Sequence, residues 1–275
     1  MRIVSLCPSL TELVFDLQRG TDLVGRTKFC VHPADRVGAV EKVGGTKNPK
    51  VDRIIALAPD LVLMNEEENR REDAEALEAA GVRCHVSFPR NALETATMVR
   101  SIAAALDARE DGERIARDIE TRYDRVVTSA RGKGTVSFAY LIWREPWMAA
   151  NGDTFVSAML AQAGGVNAFG DVPDRYPTIT PGELGTADPT LVLMSTEPFP
   201  FKQSHADELA ELSGIPRERF LIVDGELLSW HGSRTPAGID YAEQVIERGR
   251  ATLGSAASSP SDEGTRGRRE GEMSS

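Results

Sequence analysis

The sequence predicts an α/β protein built from two similar lobes, and three observations support this fold class. The run Leu-Val-Leu-Met occurs at residues 61–64 and again at 191–194, so the two copies lie 130 positions apart. A proline, Pro59 or Pro189, closes a short helical pattern just before each copy. Four consecutive apolar residues between turn signals are typical of a parallel strand buried on both faces. We therefore expect two lobes of similar construction with a cleft between them.

The first half alternates strand-like and helix-like segments, which predicts a parallel sheet. Ser9 and Glu12 have the spacing of a capping box, so we expect a helix to open there. Pro49 suits the first position of a second helix, and Gly81 should end a third. The expected strands are 2–6, 23–27, a segment from residue 61 and 82–86, and the expected helices are 9–17, 48–57 and 69–80.

A long helical stretch separates the two halves. Residues 92–130 read as helix with a break at 106–108, and Ile115, Ile119 and Val126 recur near helical spacing after the break. A helix of roughly 20 residues would span ~30 Å and could form a rigid bridge. The resulting division is an N-terminal lobe at 1–108, a bridging helix at 109–131, a C-terminal lobe at 132–253 and a Ser-, Gly-, Glu- and Arg-rich tail, expected to be disordered, at 254–275.

The second half repeats the alternation of strands and helices. Thr180 and Glu183 again have capping-box spacing and predict a helix start. Gly164 and Gly165 should end the helix before them. The expected strands are 135–142, a segment from residue 191 and 220–223, and the expected helices are 153–163, one from Thr180, one near 206–212 and 236–253.

Composition excludes several classes of function. The formal net charge of −10 argues against a nucleic-acid surface and against binding to anionic membranes. The three cysteines, Cys7, Cys30 and Cys84, are too few for a disulfide framework and lack zinc-finger spacing. No GxSxG, Walker, HExxH or GxGxxG motif is present, so we expect a protein that is not an enzyme and has no metal or cofactor of its own.

Candidate ligand-binding residues follow the predicted strands. In open parallel sheets, ligands lie outside the carboxyl ends of the strands. Loop tryptophans beside glycine, proline and charged residues suit a planar, largely apolar ligand, although the same rings could simply cap the core of the second lobe. The candidates are Cys7, Pro8, Ser9, Phe29, Asn65 and Glu66 in the first half and Trp143, Trp147, Phe199, Trp230, His231 and Arg234 in the second.

Four segments of the first half resemble periplasmic substrate-binding proteins of ABC importers. They are Arg-Ile-Val-Ser-Leu-Cys-Pro-Ser-Leu-Thr-Glu at 2–12, Leu-Val-Gly at 23–25, Val-Gly-Gly at 43–45 and Ile-Ile-Ala-Leu-Ala-Pro-Asp-Leu-Val at 54–62. The resemblance covers about residues 2–250 and is nearest to the cobalamin-binding members of the helical-backbone receptors for cobalamin, haem and iron–siderophores.

The resemblance implies two Rossmann-like lobes joined by one long helix, with the ligand stacked on aromatic rings between them. It implies a corrinoid such as cobalamin, or a related tetrapyrrole, as ligand and an ABC permease as partner of a monomeric receptor. Acidic residues on each lobe would meet the permease, and the candidates are Glu67 and Glu72 on the first lobe and Glu197, Glu208 and Glu211 on the second.

Two alternatives use the same scaffold. One is an iron–siderophore or metal-ion receptor, and the other is a cytoplasmic corrinoid-handling protein or enzyme. No apolar export signal precedes the strand at residues 2–6. We therefore expect a cytoplasmic protein from the chain as written, and a periplasmic or cell-surface protein if the true start lies upstream.

Overall fold

The computed structural model describes residues 1–257, and the side chains of residues 1–253. The strands are Ile3–Ser5 (β1), Leu23–Arg26 (β2), Glu41–Lys42 (β3), Leu61–Asn65 (β4), Cys84–Ser87 (β5), Val136–Trp143 (β6), Met148–Ala149 (β7), Gly165–Asn167 (β8), Leu191–Ser195 (β9) and Phe220–Val223 (β10). The α-helices are Pro8–Asp16 (α1), Val51–Ala56 (α2), Arg71–Ala79 (α3), Ala92–Ala105 (α4), Arg109–Ala130 (α5), Phe155–Ala161 (α6), Pro181–Ala187 (α7), Gln203–Ser213 (α8), Gly225–Ser229 (α9) and Thr235–Ala257 (α10).

Each lobe contains its own sheet. The first is parallel throughout, in the order β3-β2-β1-β4-β5. The second has the order β10-β9-β6-β7, with β8 also paired to β6, and only β7 runs antiparallel. The repeated strands β4 and β9 hold equivalent places in their sheets. Each pairs with an edge strand, β5 or β10, which is the next strand along the chain. The predicted two-lobe α/β fold is confirmed.

The repeated Leu-Val-Leu-Met runs are buried on both faces of their sheets. Successive side chains of a strand point to opposite faces. In both copies the two leucines join one large apolar core, while the valine and methionine join a smaller core on the outer face. The runs are apolar throughout because neither face of either strand is left to water.

Helix α5 connects the lobes, as predicted. It is 22 residues long, or about 33 Å, and it packs against both α4 and α10. An ideal Cβ on Gly112 would lie 2.2 Å from the Cβ of Ala103, so the close approach of α5 to α4 requires glycine there. The large core contains Leu63, Ile119 and Leu193, so apolar packing continues from the first sheet through the bridge to the second.

Several helix starts differ from the prediction. Helix α1 begins at Pro8 with Cys7 as its N-cap, because proline is tolerated at the first helical position, and Ser9 therefore does not cap it. Helix α2 begins at Val51 rather than at Pro49. Pro49 forms a β-bridge with Gly44, which commits its backbone to an extended conformation. In contrast, the capping box of Thr180 and Glu183 is present at the start of α7.

Three short strands, β3, β7 and β8, and the short α-helix α9 were not predicted. The glycine pair at 164–165 leads directly into β8, which pairs with the start of β6. The break between α4 and α5 falls at Asp107, which has a left-handed φ of 52°. Helix α10 is described to Ala257, and the remainder of the predicted disordered tail, 258–275, lies outside the described residues. Within the described part of the chain, no helix is long and apolar enough to span a membrane.

Candidate ligand cleft

The loops that follow the strand ends of the two sheets touch across the lobe boundary. Asn65 is the last residue of β4 in the first lobe, and its side chain contacts His231 in the loop between α9 and α10 of the second lobe. The carboxyl ends of parallel strands are the usual ligand-binding edge of an open α/β sheet. The two lobes thus bring these edges together at their boundary.

The His231 ring is held by polar groups of the first lobe. It is 9% exposed. Its Nε2 lies 2.9 Å from Asn65 Nδ2, and its Nδ1 lies 3.1 Å from Ser9 Oγ. Asn65 Oδ1 accepts hydrogen bonds from the backbone N–H groups of Glu67 and Glu68, so the amide nitrogen must face His231 as a donor.

This orientation fixes the state of the imidazole. Because Asn65 Nδ2 donates to Nε2, Nε2 is an acceptor and the proton resides on Nδ1, which donates to Ser9 Oγ. Burial lowers the pKa of His231 to about 4. A protonated ring would present N–H groups to both neighbours and lose the bond from Asn65. We name this contact between Ser9, Asn65 and His231 the interlobe latch.

Cys7 lies behind the latch. Its Sγ is 3.3 Å from Ser9 Oγ. Burial is the largest cause that raises the pKa of the Cys7 thiol, to about 12, and the charge of Glu68 adds to it. The thiol is therefore protonated and unsuited to nucleophilic chemistry at neutral pH.

A second interlobe contact is ionic. Arg234 donates from Nε and Nη2 to Glu12 on α1, at 2.5 and 3.0 Å, and from Nη1 to Glu226 on α9, at 2.5 Å. Its guanidinium lies 4.7 Å from the centroid of the Trp230 ring. His32 of the first lobe contacts Glu226 at 3.3 Å and meets Trp230 edge-on. Arg234, a candidate for binding a ligand anion, thus bridges two carboxylates of the protein.

Glu67 forms a third contact between the lobes. Its Oε1 accepts hydrogen bonds from Arg175 Nη2 at 3.1 Å and from Tyr176 Oη at 2.5 Å. The Arg175 guanidinium also lies 5.2 Å from the centroid of the Phe88 ring in the first lobe. Residues 66–68 form a turn before α3, and this turn places Glu67 in the interface.

The aromatic residues of the second lobe form a cluster beyond the end of β6. Trp143 meets Phe199 edge-on at 5.7 Å, Phe199 meets Phe201, and Trp147 stacks on Phe201 at 6.0 Å. Trp143 remains 41% exposed, whereas Trp147 and Phe199 are partly buried against the outer core. In the first lobe, Phe29 is 51% exposed in the loop after β2.

The sequence-based candidates therefore fall into three groups. Cys7, Ser9, Asn65, Trp230, His231 and Arg234 join the contacts across the lobes. Trp143, Trp147 and Phe199 belong to the aromatic cluster. Pro8 opens α1, and Phe29 and Glu66 are exposed at the strand ends.

Sequence reasoning missed Glu12, Glu226, Arg175 and Tyr176 as interface residues. Their partners in the other lobe lie far away along the chain, 222 positions in the case of Glu12 and Arg234, so no local pattern marks them. The five candidate permease contacts also differ from one another. Glu67 contacts Arg175, Glu197 contacts Trp230 and Glu208 contacts Arg144, whereas Glu72 and Glu211 are exposed.

Comparisons with known proteins agree with this architecture. The sequence pattern of the Periplasmic binding protein family matches residues 3–214. The chain belongs to this family.

Individual proteins are similar to this chain over most of its length. The vitamin B12-binding protein of Vibrio parahaemolyticus is 25% identical over 246 residues, which cover 90% of this chain and 88% of that protein. The crystal structure of the periplasmic vitamin B12 binding protein of Vibrio cholerae superposes with a TM-score of 0.80 at 20% identity, covering 90% of this chain and 97% of that chain. The periplasmic heme-binding protein of Roseiflexus sp. RS-1 superposes with a TM-score of 0.78 at 24% identity, covering 90% and 98%. Such structural likeness shows a shared fold.

Proposed function

We propose that this periplasmic binding protein is the solute receptor of an ABC-type importer and binds a corrinoid or a related tetrapyrrole between its lobes. The observation that carries the proposal is the exposure of Trp143 at the carboxyl end of the second sheet. Similarity to vitamin B12-binding and heme-binding receptors supports the choice of ligand.

The setting of Trp143 suits a planar ligand. Phe199 meets its ring edge-on at an interplanar angle of 68°, which limits the tilt of the indole while leaving much of it free. A ligand that stacks on this face gains the area that remains exposed, together with about 0.5–1.5 kcal/mol from the ring geometry. Phe29 offers a second exposed ring at a strand end of the first lobe.

The same proposal covers location and partner. A receptor of this kind works outside the cytoplasmic membrane as a monomer, holds the tetrapyrrole as cargo rather than as a cofactor, and catalyses no reaction. Glu72 on α3 and Glu211 on α8 are the best candidates to meet the permease, because each helix follows one of the repeated strands and both carboxylates are exposed. Fractionation of cells that express the native gene tests the location.

A ligand titration tests the central proposal. Purified protein is titrated with cyanocobalamin, dicyanocobinamide, haem and a ferric siderophore, and binding is followed by calorimetry and visible absorbance. We expect a saturable site for a tetrapyrrole. Binding of only the ferric siderophore would replace this proposal with the iron–siderophore alternative.

Replacement of Trp143 locates the site. Trp143→Ala should weaken tetrapyrrole binding about 10- to 100-fold, because it removes both the stacked ring and its contact area. Trp143→Phe should restore part of the affinity. Val166→Ala is a matched control, since Val166 is 51% exposed but lies beside the start of β6, at the opposite end of the same strand. Unchanged binding by Trp143→Ala would contradict the assignment of this ring to the ligand.

A further inference from the structure

Two carboxylates flank the interlobe latch, one from each lobe. The Glu68 backbone N–H donates to Asn65 Oδ1 at 3.1 Å, so Glu68 lies directly beside the latch on the first lobe. Glu197 follows β9 on the second lobe, and its Oε1 accepts from Trp230 Nε1 at 2.7 Å and from Ser229 Oγ at 3.0 Å. Both side chains are partly buried.

The charge of Glu68 reaches Glu197 across the lobe boundary. Burial is the main cause that raises the pKa of both, and the charges of Glu226 and Glu68 raise the pKa of Glu197 further. Lys47 opposes the shift at Glu68, but its amine also donates to the backbone carbonyl of Glu67.

Other cations at this edge already have carboxylate partners. Arg234 is bound to Glu12 and Glu226. Arg175 is bound to Glu67 and Asp153. Lys47 adds one positive charge near Glu68, so the two carboxylates of Glu68 and Glu197 together leave an excess of negative charge between these ion pairs.

This charge pattern distinguishes two kinds of tetrapyrrole periphery. A partly buried carboxylate accepts hydrogen bonds strongly from N–H donors and repels another carboxylate. The corrin ring of cobinamide carries primary amides at its edge, whereas haem and the unamidated corrin acids carry carboxylates. We propose that Glu68 and Glu197 make the cleft selective for amide-bearing corrinoids over carboxylate-bearing tetrapyrroles, an inference that rests on the proposed tetrapyrrole function.

A matched pair of ligands tests the selectivity. Dicyanocobinamide and dicyanocobyrinic acid share the corrin ring and the axial ligands, but the first has amides where the second has carboxylates. Isothermal titration at neutral pH and low salt should give an affinity for the amide ligand at least on the order of 100-fold higher. The preference should shrink in high salt, which screens charge.

Charge-neutral variants assign the effect to residues. Glu68→Gln and Glu197→Gln keep the shape of each side chain, and each should strengthen binding of the carboxylate ligand about tenfold. The affinities for the two ligands should be most similar in the double variant. Glu78→Gln and Glu218→Gln remove one exposed charge from each lobe at the opposite ends of the sheets, just before β5 and β10, and should leave the ratio unchanged.

The outcomes separate the inference from the function on which it rests. If neither corrinoid nor haem binds, both proposals fail. If the two corrin ligands bind equally well, tetrapyrrole binding stands and the selectivity is overturned. If the parent prefers the amide ligand and the Gln variants at 68 and 197 keep the same preference, these two carboxylates are not the source of the selectivity. The inference is then again overturned.

Discussion

Acidification should destabilise the folded protein through His231. In the folded state the ring is buried, accepts a hydrogen bond from Asn65, and has a pKa lowered from 6.5 to about 4. In the unfolded state the same ring takes up a proton near its ordinary pKa. As pH falls from about 6.5 towards 4, the unfolded state therefore binds the proton first, and stability present above pH 6.5 is progressively lost.

The size of the effect follows from the two pKa values. At pH 5, protonation of His231 shifts the folding equilibrium about 30-fold towards the unfolded state, which corresponds to about 2 kcal/mol. The full loss, reached below pH 4, is on the order of 3 kcal/mol. Since the unfolding free energy of such domains is only about 5–15 kcal/mol, the contribution of this single ring should be easy to measure.

Urea denaturation of the parent and of His231→Gln at several pH values between about 7.5 and 4.5 measures the loss. The variant does not titrate at this position, so the parent-minus-variant difference in unfolding free energy should fall by about 2 kcal/mol between pH 7.5 and pH 5. His205→Gln controls for the loss of an imidazole, because His205 lies at the start of α8 and not at the lobe interface.

Two results would refute this reasoning. A parent-minus-variant difference that stays flat between pH 7.5 and 5 would mean that His231 titrates alike in folded and unfolded states. NMR of ¹⁵N-labelled histidine would show this directly, since a His231 titration midpoint near 6.5 in the folded protein is incompatible with a closed latch.

Five further predictions concern the bridge and the helices. Ile119→Ala should cost about 2–5 kcal/mol by chemical denaturation, because it opens a cavity in the core shared by both lobes. Because that core is continuous, tryptophan fluorescence, which reports the second lobe, should give the same unfolding midpoint as far-UV circular dichroism, and separate midpoints would contradict this. Asp240→Asn removes one carboxylate partner of both Arg122 and Arg125, which keep Asp118 and Glu243, and should cost less than about 1 kcal/mol, an effect that 1 M salt should erase. Thr180→Ala should cost about 1 kcal/mol through loss of the α7 cap, with Thr186→Ala inside the same helix as a comparison in the same thermal melts. Small-angle scattering should show little change in radius of gyration on ligand binding, since a stiff helix resists hinge closure, and a clear decrease would count against a rigid bridge.

The architecture was predictable because local patterns encode it. The apolar runs at 61–64 and 191–194 indicate strands buried on both faces, and the structure gives these strands equivalent places in two sheets. Long amphipathic spacing likewise predicted α5. Elements of two or three residues, such as β3, β7 and β8, exist only because a neighbouring strand offers them hydrogen bonds, so their own sequences carry little signal.

The candidate site was predictable only in part. Strand ends and loop tryptophans could be located from sequence, and His231 was among the candidates. The hydrogen-bond partners of His231 could not be assigned from sequence, because Ser9 lies 222 positions away and Asn65 lies 166 positions away. Arg234 shows the same limit. A loop arginine with no local partner suggests an anion site, yet the fold supplies carboxylates from Glu12 and Glu226.

The position of the interlobe latch restricts how a ligand enters the cleft. His231 and Arg234 belong to the short loop that leads straight into α10, and α10 packs against the bridging helix and is tied to it by Asp240. Rotation of one lobe against the other would therefore disturb both the latch and the packing of the bridge, which lies in a continuous apolar core. Rearrangement of the loop at 230–234 would release the latch and the contact of Arg234 with Glu12 without disturbing that core. We therefore expect the cleft to open mainly by movement of this loop, with the two sheets and α5 acting as one fixed frame.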